Sequence, residues 1–291
     1  MTRRTKAEMA TIRDGLIALA KQHQPVTVRQ TFYLAVSAGL IGKTEAEYRN
    51  TVCRLLSDAR LSGDLSWQTI IDHTRSGVHL RTHDSLQDAL ANTKRYYRRA
   101  MWHNQPKRVE IWCEKATLQG VIDSVTLEWD VPLYPTRGYP SLSFLHSCAE
   151  EMDAEGKPTC IYYIGDHDPS GHDIRRNVEA RLREFAPDVP LVFVPLAVTQ
   201  RQIEEYDLPL RPTKQTDVRA KNWEGGSVEV EAIPPDVLRS LVNSAIEGHV
   251  DPREWEVIKV AEASERELLD VVSNAHWNLA ERTRYSITVP I

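Results

Sequence analysis

Apolar side chains in the first part of the chain recur at the three- and four-residue spacing of helices. This spacing predicts helices over residues 7–22, 28–38 and 44–61, and Thr27 can cap the second of them. A short extended piece over residues 65–74 follows the third helix. The beginning of the chain is therefore predicted to be a small helical domain that ends in a β-ribbon.

Three short helices and a β-ribbon are the plan of a winged helix-turn-helix, whose third helix enters the major groove of DNA. We therefore expect a winged-helix DNA-binding domain over residues 1–83. The exposed positions of the third predicted helix carry three arginines that are candidates for contacting DNA phosphates: Arg49, Arg54 and Arg60.

The next predicted helix combines basic and aromatic residues. It begins at Asp84, connects the two domains over residues 84–106, and contains the run Lys94-Arg95-Tyr96-Tyr97-Arg98-Arg99. Basic side chains between aromatic ones suit contact with a nucleic acid, so Arg98 and Arg99 are candidates for binding DNA. The alternative is a solvated helix end whose two tyrosines pack on the neighbouring domain.

After residue 107, strands alternate with helices. Four apolar segments predict strands over residues 108–113, 131–135, 159–165 and 191–198. Strands that are apolar on both faces are typical of a parallel sheet covered by helices. The predicted fold class is therefore α/β, with a Rossmann-like, mostly parallel sheet and a C-terminal helical extension in one domain over residues 107–291.

Acidic residues follow two of these strands. Glu114 comes directly after the first strand, and Asp166 and Asp168 follow the third. The carboxyl ends of parallel strands lie at one edge of a sheet, so these carboxylates are expected to meet. Crowded carboxylates raise one another's pKa unless a cation lies between them, and Mg²⁺ prefers hard oxygen ligands. The sequence therefore predicts a site for Mg²⁺ or Mn²⁺; the alternative for each acid is a helix cap or a solvated side chain.

Four segments of the sequence carry a resemblance to a known family: Glu114-Lys115, Gly138-Tyr139-Pro140, Asp166-His167-Asp168-Pro169-Ser170-Gly171 and Arg29-Gln30-Thr31-Phe32-Tyr33. The two acidic segments resemble those of the Toprim domain. All four together resemble the A subunit of topoisomerase VI and its relative, the transesterase that makes meiotic double-strand breaks. The chain is most similar to the minimal, stand-alone homologues of that subunit.

The resemblance implies a winged-helix domain followed by a Toprim domain, and a DNA-cleaving activity like that of type IIB topoisomerases. In that family the last tyrosine of the first motif, here Tyr33, attacks a DNA phosphate and forms a 5′-phosphotyrosyl end. Arg29 would clamp the same phosphate or stabilise the phenolate. Glu114 would be a metal ligand or a general acid and base. Lys115 and Arg137 are either DNA contacts or ordinary surface residues.

The resemblance also implies the partners. They are double-stranded DNA and a second copy of the chain, because in that family the tyrosine of one subunit meets the metal of the other and two such sites make a double-strand break. A separate ATPase of the topoisomerase VI B type is a further candidate partner, since the sequence has no GxxxxGK[ST] motif for phosphate binding.

Two other functions stay open on the sequence. A Toprim hydrolytic nuclease would cleave DNA with metal-bound water, and Tyr33 would then be a packing residue, as a tyrosine in a winged helix usually is. A non-catalytic winged-helix protein would bind DNA and leave the acidic residues inert. The transesterase leaves protein covalently attached to the 5′ ends of the DNA, whereas the hydrolytic nuclease leaves free 5′ phosphates. Both enzymes need a divalent metal to cut DNA, whereas the non-catalytic protein does not cut it.

Charge is distributed unevenly along the chain, whose net charge is −5. Residues 1–110 hold 18 basic and 10 acidic residues, whereas residues 111–291 hold 18 and 31. The basic part suits a DNA backbone and the acidic part suits metal ions, although two ordinary solvated surfaces would give the same split. With no long apolar run, no secretory signal and four cysteines without a CxxC pair, a cytoplasmic protein with reduced thiols is expected.

Overall fold

The computed structural model describes residues 4–71, 82–212, 223 and 225–284, with side chains as far as residue 272. The chain divides into two compact units. One unit joins Met1–Arg75 to Pro106–His249, and the other joins Ser76–Gln105 to Val250–Ile291. The N-terminal helices and the sheet therefore belong to the same unit, while the helix predicted to connect two domains belongs with the C-terminal helix. The predicted domain boundaries stay a prediction.

The N-terminal helices lie where the apolar spacing predicts them. Helix α1 is Lys6–His23 and helix α2 is Val28–Ser37. The Thr27 side chain accepts a hydrogen bond from the backbone of Gln30, and the Gln30 side chain accepts one from the Thr27 backbone. This reciprocal capping box fixes the start of α2, the helix that carries Arg29 and Tyr33.

The third predicted helix is a helical run with a π-helical turn inside it. It consists of α3 (Glu45–Glu47), the π-helical turn Tyr48–Val52 and α4 (Cys53–Leu61). Of the predicted extended piece, residues 65–71 are described, and they contain one parallel bridge, Val26 to Ile70. Residues 72–74 lie outside the described residues, so the predicted β-ribbon stays a prediction.

A four-stranded, fully parallel sheet forms the centre of the same unit, which confirms the mixed α/β class. Its strands are β1 (Arg108–Cys113), β2 (Leu133–Pro135), β3 (Thr159–Ile164) and β4 (Leu191–Ala197). Their order is β2-β1-β3-β4. The first and third strands in sequence are thus neighbours, and their carboxyl ends lie side by side.

Helices follow the strands, as the alternating pattern predicts. A 3-10 turn, Ala116–Leu118, leads from β1 into the first of them. The buried core on one face of the sheet joins Trp112 and Ile161 to apolar side chains of two of these helices, Leu142–Glu155 and Pro169–Phe185. The helices of this unit that follow β1 are α6 (Gln119–Glu128), α7 (Leu142–Glu155), α8 (Pro169–Phe185), α9 (Gln200–Glu205) and α10 (Pro235–Glu247).

The second unit is built from α5 (Leu86–Tyr96) and α11 (Pro252–Arg284). Helix α5 begins later than predicted, because the side chain of Ser85 rather than Asp84 accepts the capping hydrogen bond from the backbone of Asp88 at 3.0 Å. None of the helices in the described part of the chain is both long and apolar enough to span a bilayer.

Candidate active site

The register of the sheet brings two of the predicted acids together. Cys113 of β1 pairs with Ile164 of β3, so the chain leaves both strands at the same level. The backbone N–H of Glu114 donates to the Ile164 carbonyl at 2.8 Å, and the N–H of Asp166 donates to Glu114 Oε2 at 3.2 Å. We call Glu114, Asp166 and Asp168 the carboxylate edge.

Glycines leave room for these carboxylates. A Cβ at Gly171 would overlap the carbonyl oxygen of Asp166 and lie 3.2 Å from Glu114 Oε2. A Cβ at Gly165 would lie 2.8 Å from the same Glu114 oxygen. The sequence motif that ends in Gly171 therefore has a packing reason: a larger residue would displace the two acids.

Asp168 takes the role of a helix cap, which the sequence left open as the alternative to a metal ligand. Strand β3 ends at Ile164, and Asp168 is the N-cap of α8, with Oδ1 accepting from the N–H of Gly171 at 2.7 Å. Among the residues that the structure describes, no three His, Cys, Asp or Glu side chains form a metal-binding group. The geometry thus brings Glu114 and Asp166 together, whereas the side chain of Asp168 caps helix α8.

Burial makes the carboxylate edge electrostatically unfavourable without a cation. Burial, and then the charge of Asp166, raise the pKa of Glu114 to about 7. Burial also raises the pKa of Asp166, although Lys115 lowers it. Carboxylates with such pKa values bind protons or cations readily at neutral pH.

Lys115 provides one cation, and it points inward. Its Nζ lies 3.0 Å from Asp166 Oδ2, 3.2 Å from Glu231 Oε2 and 3.7 Å from Glu229 Oε2. Burial disfavours the ammonium, but the neighbouring carboxylates outweigh this effect and raise the pKa of Lys115. A role for Lys115 in DNA binding stays a prediction, and its three carboxylate partners make it part of the site rather than an ordinary surface residue.

Glu229 and Glu231 are site residues that the sequence analysis missed. They flank Val230, whose N–H donates to Asp166 Oδ1 at 2.8 Å, and we call Glu229-Val230-Glu231 the acidic turn. Both carboxylates are buried, and Glu231 also accepts from the Thr117 hydroxyl at 2.9 Å. The one signal in the sequence is the alternation of glutamate with valine before a predicted helix.

Tyr33 lies in a pocket of basic side chains and is only 1% exposed. The Arg29 guanidinium carbon and Lys43 Nζ lie 5.7 and 5.4 Å from the centre of its ring. Burial raises the pKa of Tyr33, while Arg211, Arg29 and Lys115 lower it. We call Arg29, Tyr33, Lys43 and Arg211 the tyrosine pocket; its phenol is neutral and covered in this structure.

Arg29 joins the tyrosine pocket to the acidic turn. Its Nε and Nη2 each lie 3.1 Å from an oxygen of Glu229, in the two-pronged geometry that arginine forms with carboxylates. Its Nη1 donates to Glu45 Oε2 at 3.2 Å. As the sequence spacing predicts, Arg29 and Tyr33 share one face of α2, so the predicted phosphate clamp lies beside the predicted nucleophile.

An open cleft of about 510 Å³ gives access to this part of the molecule. Arg137 lines it from the turn after β2, with a positive φ of 56°, next to Gly138 of the Gly-Tyr-Pro motif. The cleft is thus lined by both basic and acidic groups of the site. The other charged residues that line it are Arg29, Glu114, Lys115, Glu229 and Glu231.

The remaining predicted DNA contacts are placed in two regions. Arg49 and Arg54 are largely exposed on the third helical run, paired with Glu45 and Asp58 one turn away, and Arg60 lies 5.3 Å from the centre of the exposed Trp67 ring. Arg98 and Arg99 belong to the second unit, where the Arg99 guanidinium pairs with Glu265.

Comparisons with known proteins leave the family of this chain open. No protein-family model matches the sequence, and no curated protein matches it. The function is therefore inferred from the geometry and chemistry of the site.

Proposed function

We propose that this protein cleaves double-stranded DNA with the help of a divalent cation, with Tyr33 as the nucleophile of a transesterification. The observation that carries the proposal is the meeting of Glu114 and Asp166 at the carboxyl ends of adjacent parallel strands. The three N-terminal helices and the parallel sheet support a winged-helix and Toprim arrangement, in which the site lies at the carboxyl ends of the strands.

The donor set at the carboxylate edge suits Mg²⁺ or Mn²⁺. Mg²⁺ is commonly held by one or two carboxylates together with water and substrate phosphate, so Glu114 and Asp166 would be its protein ligands. Asp166 Oδ2 would then bind the metal ion in place of the Lys115 ammonium that it pairs with in this structure. The glycines at 165 and 171 let the backbone pass close to the Glu114 carboxylate, where any side chain would press on it. When bound, the metal ion would neutralise charge on the phosphate and on the leaving oxygen.

The side chains of the chain would supply the proton and phosphate contacts. Glu114, with its pKa raised to about 7, has two alternative roles. As a carboxylate it would bind the metal ion, and while protonated it would give its proton to the departing 3′ oxygen of DNA. Arg29 and Arg137 line the cleft and can bind phosphate oxygens. Glu114, Arg29 and Arg137 line the same cleft, which supports roles for all three at one phosphodiester.

In the tyrosine step, the Tyr33 oxygen attacks phosphorus and loses its proton, and the bond to the 3′ oxygen breaks. The products are a 5′-phosphotyrosyl bond and a free 3′ hydroxyl. The basic surroundings of Tyr33 favour its phenolate, but its burial means that the hydroxyl must be uncovered before it reaches DNA. A homodimer in which each tyrosine meets the other subunit's carboxylate edge is part of this proposal.

The burial of Tyr33 favours a second candidate, which is hydrolysis by water at the same carboxylate edge. In that case Tyr33 is a packing residue, and the tyrosine pocket binds a phosphate next to the one that is cut. The two candidates predict different ends on the DNA, so one experiment separates them.

The experiment is cleavage of a supercoiled plasmid in Mg²⁺ or Mn²⁺, stopped with SDS and analysed with and without protease. We expect the wild type and a control, Tyr206→Phe, to give breaks with protein attached to the 5′ ends. Tyr206 lies at the end of α9, outside the site. Tyr33→Phe should give no cleavage, and neither should Asp166→Ala.

Free 5′-phosphate ends from an active Tyr33→Phe variant would establish hydrolysis and overturn the tyrosine step. If the wild type binds the plasmid but cuts it with neither metal, both cleavage candidates are wrong.

A further inference from the structure

Three cations converge on the single carboxylate of Glu229. Arg29 binds it through two nitrogens at 3.1 Å each, Arg211 pairs with the oxygen that Arg29 Nη2 contacts, and Lys115 Nζ lies 3.7 Å from the other oxygen. Glu229 is only 7% exposed, so these contacts are formed away from bulk water. Lys115 lies closer to Asp166 and Glu231 than to Glu229, so Glu229 is shared mainly between the two arginines.

The backbone fixes Glu229 in this position from both sides. On one side, the N–H of Val230 is bonded to Asp166 of the carboxylate edge at 2.8 Å. On the other side, Ser227 and Arg211 exchange two backbone hydrogen bonds, at 2.9 and 2.8 Å. The backbone around Glu229 is therefore held in place, and Arg29, Arg211 and Lys115 reach its carboxylate with their long side chains.

The cations repel one another. Burial, and then the charges of Arg211 and Arg29, lower the pKa of the nearby Lys43 to about 8, which reports the crowding of positive charge around Tyr33. Without a central anion, long flexible side chains such as Arg29 and Arg211 would relax toward solvent. Arg29, Lys115 and Glu229 all line the cleft. The position of Glu229 therefore affects the surface that an incoming anion meets.

We propose that Glu229 is a positioning residue that holds Arg29 and Arg211 next to Lys115, so that the three cations form one binding site for a backbone phosphate of DNA. The inference rests on the proposed DNA cleavage and deepens it, because it assigns the phosphate-binding role of the cleft to a cluster built by the acidic turn. Glu229 binds no phosphate itself; it acts through the two arginines.

The sign of the effect makes the inference testable. Glu229→Gln removes one negative charge and so makes the site more positive by one unit. Simple attraction between the protein and DNA would therefore become stronger. If Glu229 holds the cations in place, the same substitution disperses them, and DNA binding becomes weaker. The number of phosphates contacted is read from the dependence of affinity on salt.

The experiment is binding of a labelled DNA duplex in EDTA, without cleavage, at several salt concentrations. We expect Glu229→Gln to bind about tenfold more weakly and to lower the slope of log K against log salt by about one to two. Glu229→Asp keeps the charge and should recover most of the affinity. Glu179→Gln removes a carboxylate that pairs only locally with Arg183 on α8, and it controls for net charge.

A second variant makes the test independent of how well Glu229→Gln folds, which thermal unfolding checks. Arg211→Gln should weaken binding as well, and the double variant should lose less than the sum of the two single losses. If both single variants bind DNA with unchanged affinity and salt slope, the inference is wrong and the proposed cleavage stands. If the wild type itself does not bind DNA, the proposed function is wrong.

Discussion

The carboxylate edge gathers negative charges and the tyrosine pocket gathers positive charges, and in both regions burial and like charges disfavour the charged form of a side chain. At the carboxylate edge, crowded acids and burial raise the pKa of Glu114 to about 7. In the tyrosine pocket, burial and crowded cations lower the pKa of Lys43 to about 8. Each region holds like charges in a partly dry environment, where each disfavours the charged form of its neighbours.

Such regions reduce the stability of the folded chain, and they are a feature of sites that bind charged ligands. A divalent cation would relieve the repulsion at the carboxylate edge, and a phosphate would relieve it in the tyrosine pocket. The acidic turn lies between them, since Val230 is bonded to Asp166 and Glu229 is bonded to Arg29. The comparison supports the proposed function, because one half is suited to a metal ion and the other half to a phosphate.

The largest effect that separates the two halves is expected from Gly171→Ala. The new Cβ would overlap the Asp166 carbonyl oxygen and press on Glu114 Oε2, so it disturbs the carboxylate edge and leaves the tyrosine pocket in place. Overpacking of this kind costs about 1–3 kcal/mol of unfolding free energy. Thermal unfolding with and without Mn²⁺ should show a lower melting temperature and no stabilisation by the metal.

The matched control for this variant is Gly42→Ala, because no heavy atom lies within 4 Å of a Cβ built at Gly42. Gly42→Ala should melt like the wild type and respond to Mn²⁺ like the wild type. A Gly171→Ala protein that is stabilised by Mn²⁺ as strongly as the wild type would contradict the close packing of the glycine against the two acids.

A smaller effect is expected from Lys43→Met in the other half. The folded-state pKa of Lys43, about 8, lies below the ordinary value of 10.5 for a lysine, so the unfolded chain binds more protons between these two pH values. The contribution of Lys43 to stability therefore rises with pH across this window and is least favourable at neutral pH. Because Lys43 is only about half buried, solvent screening limits the effect to a few degrees in melting temperature.

Melting curves of the wild type and Lys43→Met from pH 7 to pH 10 test this sign. The variant should be the more stable protein at pH 7, and its advantage should shrink as the pH rises. Parallel curves for the two proteins would show that positive charge does not crowd in the tyrosine pocket.

Much of the fold, and half of the site, can be predicted from the sequence. Strands that are apolar on both faces require a covered parallel sheet, and parallel neighbours place their carboxyl ends together, so the meeting of Glu114 with Asp166 follows from the pattern. The position of Asp168 does not follow, since it depends on β3 ending at Ile164 and on the helix cap that Asp168 then forms.

The other half of the site depends on contacts between distant parts of the chain. Arg29 and Glu229 are 200 positions apart, and no local pattern specifies that pairing. The inward direction of Lys115 has the same origin, because Glu229 and Glu231 attract it. The nearly complete burial of Tyr33 also comes from tertiary packing, which spacing on one helix does not reveal.

The most direct test of the account is calorimetric titration of the metal-free protein with Mn²⁺ at pH 6 and pH 8. We expect binding in the wild type that is tighter at pH 8, because Glu114 must lose its proton to bind a cation and its pKa is about 7. Asp166→Ala should lose this binding, and Glu179→Gln should keep it. Equal binding of Mn²⁺ by the wild type and Asp166→Ala, or no binding by either, would contradict the account.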